Sequence, residues 1–172
     1  MASTPTLIPI EEYLRTSYHP DADYVDGEIE ERNLGEFDHA RLQCILASII
    51  VRQERQWNVM GVTEQRIRIN SSRVRIADLA VLRADAPREP VTMTPPLICI
   101  EVLSPEDRLY RAKLVLADYF AMGVPNIWLI DPIRRVAYTF DAAGLQTADP
   151  TNLTVPNTPI RLDLTEAFAA LD

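Results

Sequence analysis

Three charged residues stand where apolar side chains are expected, and two acids beside one amine are the means to hold a cation and work on a phosphate ester. In Val74-Arg75-Ile76-Ala77-Asp78-Leu79-Ala80-Val81-Leu82, strand alternation puts Asp78 on one face with Val74, Ile76, Ala80 and Leu82. In Leu97-Ile98-Cys99-Ile100-Glu101-Val102-Leu103, Glu101 shares its face with Leu97, Cys99 and Leu103, and the opposite face is equally apolar. Lys113 follows Leu109 by four residues and precedes Leu116 by three, so helical spacing sets it on or beside a buried stripe, pointing at the sheet. It is the only lysine among 17 basic residues, in a chain that otherwise uses arginine. That choice favours a compact, deprotonatable ammonium at this position.

Unpaired buried charges cost several kcal/mol per ion, so these three must compensate one another or share a cation. Two acids and one base leave a net negative charge, which a hard divalent ion such as Mg²⁺ resolves with carboxylates, waters and phosphate oxygens. Taken singly, each acid also fits a structural role, at a sheet end or paired with arginine. Taken together, three independent misplacements on a strand, a strand and the following helix point to a site.

The elements that must carry them read as follows. Pro9 to Tyr18 forms a short amphipathic helix with Ile10, Tyr13 and Leu14 on one side. Tyr24-Val25 and Glu28-Ile29 flank Asp26-Gly27, a hairpin turn dipeptide. Asp38 is a natural N-cap for a helix reaching Trp57, with Leu42, Ile45, Leu46, Ile49 and Ile50 at helical period. Val62 to Ile69 and Val74 to Leu82 are antiparallel strands around Asn70-Ser71-Ser72. A proline-rich loop over 85–96 leads to a central strand over 97–103. Ser104 and Asp107 cap a helix whose buried face is Leu109, Ala112, Leu116 and Phe120, ending at Gly123. Strands over 127–131 and 136–140 and a terminal helix over 163–171 complete the chain, and Asp131, closing a strand before Pro132, is structural. The expected fold is α/β (α+β): a central mixed sheet flanked by helices, preceded by a helix and hairpin. Residues 1–172 make one domain, with no internal repeat.

Composition narrows the chemistry. With 172 residues, 47% of them hydrophobic, the chain buries roughly 70% of its unfolded surface and needs no metal or disulfide merely to fold. Its 5 glycines are scattered, which leaves no phosphate-cradling loop and argues against a nucleotide cofactor. Only His19 and His39 offer an imidazole, and Cys44 and Cys99 form no metal-binding pair, so zinc sites and nucleophile-histidine triads are disfavoured. Both cysteines sit among aliphatic residues as small buried hydrophobes, which fits a reducing cytoplasm. The N-terminus lacks a signal-peptide pattern and no apolar run approaches membrane-spanning length. A net charge of -8 opposes global attraction to a polyanion, so any nucleic-acid contact needs a local patch. Arg66, Arg68, Arg73 and Arg75, with no acid between them, supply the candidate, against a merely solvated sheet edge.

This pattern resembles the PD-(D/E)XK nuclease superfamily and, within it, the Uma-two family of restriction-endonuclease-like proteins. The resemblance runs through Tyr24-Val25-Asp26-Gly27-Glu28-Ile29, His39, Ile76-Ala77-Asp78-Leu79-Ala80-Val81, Ile100-Glu101-Val102-Leu103-Ser104-Pro105, Lys113 with Tyr119, and Gly123 to Pro132. It implies a restriction-endonuclease-like core, with Asp78, Glu101 and the Val102 carbonyl as metal ligands and Lys113 as the catalytic lysine. Leu103 stands where that lysine usually does, two residues beyond the acid, so the lysine is migrated to the helix; Ala77 replaces the proline before the first acid. Glu28 matches the hairpin acid, as a third ligand, a water-orienting acid or a solvated turn residue. His39 matches a position at the first long helix, as a phosphate donor or a helix cap.

The implied activity is Mg²⁺-dependent hydrolysis of DNA phosphodiester bonds, with Mn²⁺ able to substitute, by a cytoplasmic homodimer. Two rivals stand beside it: a catalytically inactive nuclease-like module binding nucleic acid or protein, and a phosphohydrolase of small substrates.

Overall fold

A computed structural model describes residues 6–32, 35–105 and 109–172. The sheet order is built from hairpins, a helical connection between the second and third strands and one parallel crossover. Strands β1 (Ala22–Val25) and β2 (Glu28–Glu31) pair antiparallel across Asp26 and Gly27, whose φ values of 51° and 95° make the left-handed turn that Asp-Gly favours. β1 then pairs with β4 (Arg73–Arg83), the partner of the long β3 (Val59–Asn70). β4 pairs antiparallel with β5 (Ile98–Val102), and β5 runs parallel to β6 (Asn126–Asp131). A parallel pair needs a crossover, and helix α3 (Leu109–Met122) supplies it. β7 (Val136–Asp141) and β8 (Gly144–Ala148) extend the far edge, giving the order β2-β1-β4-β5-β6-β7-β8 with β3 on β4.

Two apolar layers sandwich this sheet. Helix α2 (Phe37–Trp57) buries Leu42, Leu46 and Ile50 against Leu79, Val81, Ile98, Ile100, Val102, Trp128 and Ile130. Helix α3 buries Leu116 and Tyr119 against Ile67, Cys99, Ile127 and Leu129. A small cluster of Ile10, Tyr13, Tyr24 and Val74 anchors helix α1 (Ile10–Arg15), and Tyr13 Oη donates to the Ala22 carbonyl at 2.8 Å. The mixed sheet flanked by helices, the hairpin and the N-terminal helix match the sequence reading. Strand β8, the two-stranded sheet of β9 (Leu153–Thr154) and β10 (Arg161–Leu162), and the reduction of the last helix to α4 (Thr165–Ala169) were not legible. Short strands carry too few alternations to register as a period.

Three expectations need correction. Helix α2 has Glu36 at its N-cap position and Asp38 already in its first turn. Cys44 is exposed, because it lies two residues from both Leu42 and Leu46 and so on the opposite side of α2. On α3 the buried stripe runs through Leu116 and Tyr119, with Ala112 and Val115 half-buried, while Leu109 and Phe120 are exposed. Rotating the stripe by one position turns Lys113 out to solvent. Asp107, expected to cap this helix with Ser104, lies outside the described residues.

Candidate active site

The site begins where β4 and β5 part. Their antiparallel register ends at Leu79↔Ile100, which makes Asp78 and Glu101 the next cross-strand neighbours. Beyond that point the backbone ladder is replaced by a side chain: the Val102 N–H donates to Asp78 Oδ2 at 2.8 Å. On the other side of β4 the ladder with β3 lapses for one pair, between Thr63↔Leu79 and Gln65↔Ala77. The residue left out on β3 is Glu64, with φ 51°. Such a conformation costs a non-glycine residue of order 1 kcal/mol or more. In return it breaks the alternation of β4. Ala77 packs toward α3 and Leu79 and Val81 toward α2, so the switch of face falls at Asp78. The Asp78 carbonyl accepts instead from Gln43 Nε2 of α2 at 2.9 Å.

Asp78 is buried, at 1% exposure, and held from three directions. Oδ1 accepts from Arg32 Nη2 at 2.6 Å, and Oδ2 lies 3.2 Å from His39 Nε2 while also taking the Val102 N–H. Burial alone would raise its pKa, but the His39 hydrogen bond and the Arg32 charge outweigh burial and hold the carboxyl below its usual range. The same contact lifts His39 above an ordinary histidine, against burial and the nearby Arg32 charge. Glu101 is the opposite case. Tyr119 Oη donates to its Oε1 at 2.6 Å, yet among the described residues no cation lies within ion-pair distance of it. Burial first, and then the Asp78 charge, push its carboxyl well above the carboxylate range. Asp23 of β1 stands at the same cleft, accepting from the Ile76 N–H and from Arg75, each at 3.0 Å.

These groups open into one cleft of about 330 Å³. Asp23, Arg32, His39, Gln43, Glu64, Asp78, Glu101 and Val102 all line it, with Arg111, Ala112 and Val115 contributed by α3. Gly35 packs on His39 so closely that an added Cβ would lie 2.8 Å from Nδ1, which fixes the imidazole over Asp78. Glu64 accepts from both Gln43 Nε2 and Arg32 Nη1, tying α2 and the segment after β2 to the irregular point of β3.

The structure thus brings Asp78, Glu101, Val102 and His39 together. It does not bring the others. Lys113 is exposed and outside the cleft lining, because α3 turns Ala112 and Val115 inward. Glu28 is exposed beside the hairpin turn, paired with Val25 at the end of β1 and β2, away from the cleft. Arg75, expected at a nucleic-acid face, is 3% exposed and ion-paired to Asp23, Glu30 and Asp118. Arg73 pairs with Asp26 and Asp118. Arg68 donates to the Asn70 carbonyl at 3.3 Å. Arg66 donates to the Leu14 carbonyl at 3.2 Å and lines a second hollow that shares Asp21, Glu64 and Ile76 with the main cleft. Arginines and acids on different elements neutralise each other here, which an acid-free stretch of sequence conceals. Arg32, Asp23, Gln43 and Glu64 were not identified as site residues from sequence, and Tyr119 entered only as part of a resemblance. Tyr119 lies in a largely apolar run, a signal of the kind that marked Asp78; Asp23, within Asp21-Ala22-Asp23-Tyr24-Val25-Asp26, and Arg32 offer none.

The donors suit a hard divalent cation. Asp78, Glu101 and the Val102 carbonyl offer only oxygen donors to the cleft, and among the described residues the half-buried Glu101 has no ion pair. Among the described residues no group of three or more His, Cys, Asp or Glu side chains is arranged to hold a metal ion.

A family model described as Uma2, putative restriction endonuclease, matches residues 10–169. The crystal structure of a putative nuclease belonging to DUF820 from Anabaena variabilis superposes with a TM-score of 0.84 at 21% identity, covering 96% of this chain and 99% of that one. At that identity the likeness shows the fold. A DrdV–DNA complex matches 62% of this chain and 10% of its own at 14% identity, with a TM-score of 0.44. No curated protein matches. No described helix is long and apolar enough to cross a membrane.

Proposed function

The chain belongs to the Uma2 family, and on that premise we propose that it is a divalent-metal-dependent endonuclease hydrolysing phosphodiester bonds of DNA. The observation that carries this reading is the fork between β4 and β5, which opens two acids into one cleft where, among the described residues, Glu101 has no ion pair. Mg²⁺, with Mn²⁺ as a substitute, would be held by Asp78, Glu101 and the Val102 carbonyl. When bound, such an ion polarises a phosphate oxygen and lowers the pKa of a coordinated water.

The chain's own residues do the rest. His39 and the Val102 N–H fix the orientation of Asp78 and keep it ionised. Tyr119 holds Glu101 from the α3 side, and as a donor it favours the charged acid. Arg66, which lines the adjoining hollow, would meet the DNA backbone beyond the scissile bond. The protein acts as a homodimer in a reducing cytoplasm: two clefts are needed to cut both strands, and the exposed Cys44 is a free thiol.

A second reading, a non-catalytic module of the same fold, is favoured by one contact: Arg32 already neutralises Asp78. Calorimetric titration with Mg²⁺ followed by plasmid cleavage separates the two. The nuclease binds the ion and nicks plasmid only in its presence. Metal binding with intact plasmid across all conditions would favour the module.

A further inference from the structure

The cleft holds a cation that the sequence reading did not supply. A phosphodiester under attack gathers negative charge on its non-bridging oxygens, and a preorganised cation beside it is a major source of rate. Lys113, the expected amine, is exposed, and the α3 side chains facing the cleft at 112 and 115 are Ala and Val. The cleft's positive groups among the described residues are His39, Arg111 and Arg32. His39 is engaged with Asp78, and Arg111 Nη2 donates to the Glu31 carbonyl at 2.7 Å. Arg32 alone reaches across the acids: Nη2 lies on Asp78 and Nη1 on Glu64. Its side chain is 20% exposed, so it faces the open cleft while its charge is satisfied from below.

Resting on the nuclease reading above, we propose that Arg32 replaces Lys113 as the phosphate-binding cation of this site, and that in the metal-free protein it is parked on Asp78. A divalent ion on Asp78 would share the lone pairs of Oδ1 with Arg32, which already lies at 2.6 Å, and would repel the guanidinium charge beside it. The guanidinium would then be free to turn to the substrate, where its planar fork suits two phosphate oxygens at once. Glu64 retains Nη1 and keeps the freed group at the cleft wall. Metal and arginine therefore compete for Asp78 before substrate arrives and cooperate on the phosphate afterwards.

The test uses the full chain, with Arg32→Ala, Arg32→Gln and Lys113→Ala as variants, and far-ultraviolet circular dichroism as the check on folding. Calorimetry with Mg²⁺ alone is expected to show several-fold tighter binding in both Arg32 variants, because a competitor has been removed. Anisotropy of a labelled DNA duplex in Ca²⁺ is expected to show weaker duplex binding in both, and Mg²⁺-dependent cleavage to fall by roughly 100-fold. Lys113→Ala should behave as the native protein in all three. Unchanged or weaker Mg²⁺ binding in folded Arg32 variants would overturn the proposal, as would lost cleavage in Lys113→Ala. A native protein that never cleaves DNA would overturn the nuclease reading. Tighter Mg²⁺ and weaker duplex binding in the Arg32 variants would still support the assignment of Arg32.

Discussion

Arg32 and Asp78, 46 residues apart in sequence, meet at 2.6 Å on the floor of the cleft, while Glu101 next to Asp78 has no ion pair among the described residues. The two acids of the fork therefore carry opposite energetic signs in the metal-free protein. Asp78 has its charge held by Arg32, His39 and the Val102 N–H. Removing one partner from a buried pair costs about 3 kcal/mol or more. Asp78→Asn is expected to lower stability by about 3 kcal/mol in urea unfolding. Glu101→Gln keeps an acceptor for Tyr119 and removes an acid that burial already disfavours. It is expected to stabilise the metal-free protein by about 1 kcal/mol. Saturating Mg²⁺ should then raise the midpoint of the native protein and not that of Glu101→Gln.

The pH dependence near neutrality belongs largely to His39. Its pKa is raised in the folded protein because the Asp78 contact outweighs burial. Its contribution is thus fully present below the ordinary 6.5 and is lost as pH rises through the folded value. Glu101, with a raised acid pKa, acts in the same direction from the ordinary 4.5 upward. Thermal midpoints of metal-free protein should fall as pH rises above 6.5, and His39→Gln should flatten the part due to the imidazole. A midpoint that climbs over that range would contradict the assigned contact.

Gly35 is required by space rather than by backbone conformation. An added methyl would lie 2.8 Å from His39 Nδ1. Gly35→Ala should displace the imidazole and uncouple it from Asp78, with a shift of the His39 titration toward the ordinary value in NMR. Because the change lies at the exposed cleft mouth, global stability should move by less than about 1 kcal/mol.

Arg75 tests the correction to the sequence reading. Its three acid partners and its burial make it a tie between β1, β2, β4 and α3. Arg75→Ala is expected to destabilise by about 3 to 5 kcal/mol. Arg66→Ala, at a half-buried surface position, is expected to leave the unfolding midpoint nearly unchanged and to lower the salt dependence of duplex binding.

The parts of the fold that repeat were legible. The helical period of α2, the turn dipeptide Asp26-Gly27 and the apolar run of β5 each rest on local chemistry, and Asp78 and Glu101 stood out because they interrupt apolar strand faces. The rest depends on tertiary geometry. Which way Lys113 points is set by a one-position rotation of the α3 stripe, since Leu109 and Phe120 look buried by composition and are not. Arg73 and Arg75 look like a basic patch until Asp118 and Asp23 arrive from elsewhere in the chain. Arg32 has no periodic context, and it is held in the cleft partly by Glu64, the residue at which the β3 ladder lapses, a backbone event with no marker in the residue types.

The central claim is that Asp78 and Glu101 share one cation at the fork of β4 and β5. Crystals grown with Mn²⁺ and measured at the manganese absorption edge test it directly. The expected result is one anomalous peak within coordination distance of both carboxylates and the Val102 carbonyl, with Arg32 drawn off Asp78. A cleft without such a peak, and Arg32 still on Asp78 at saturating Mn²⁺, would contradict it.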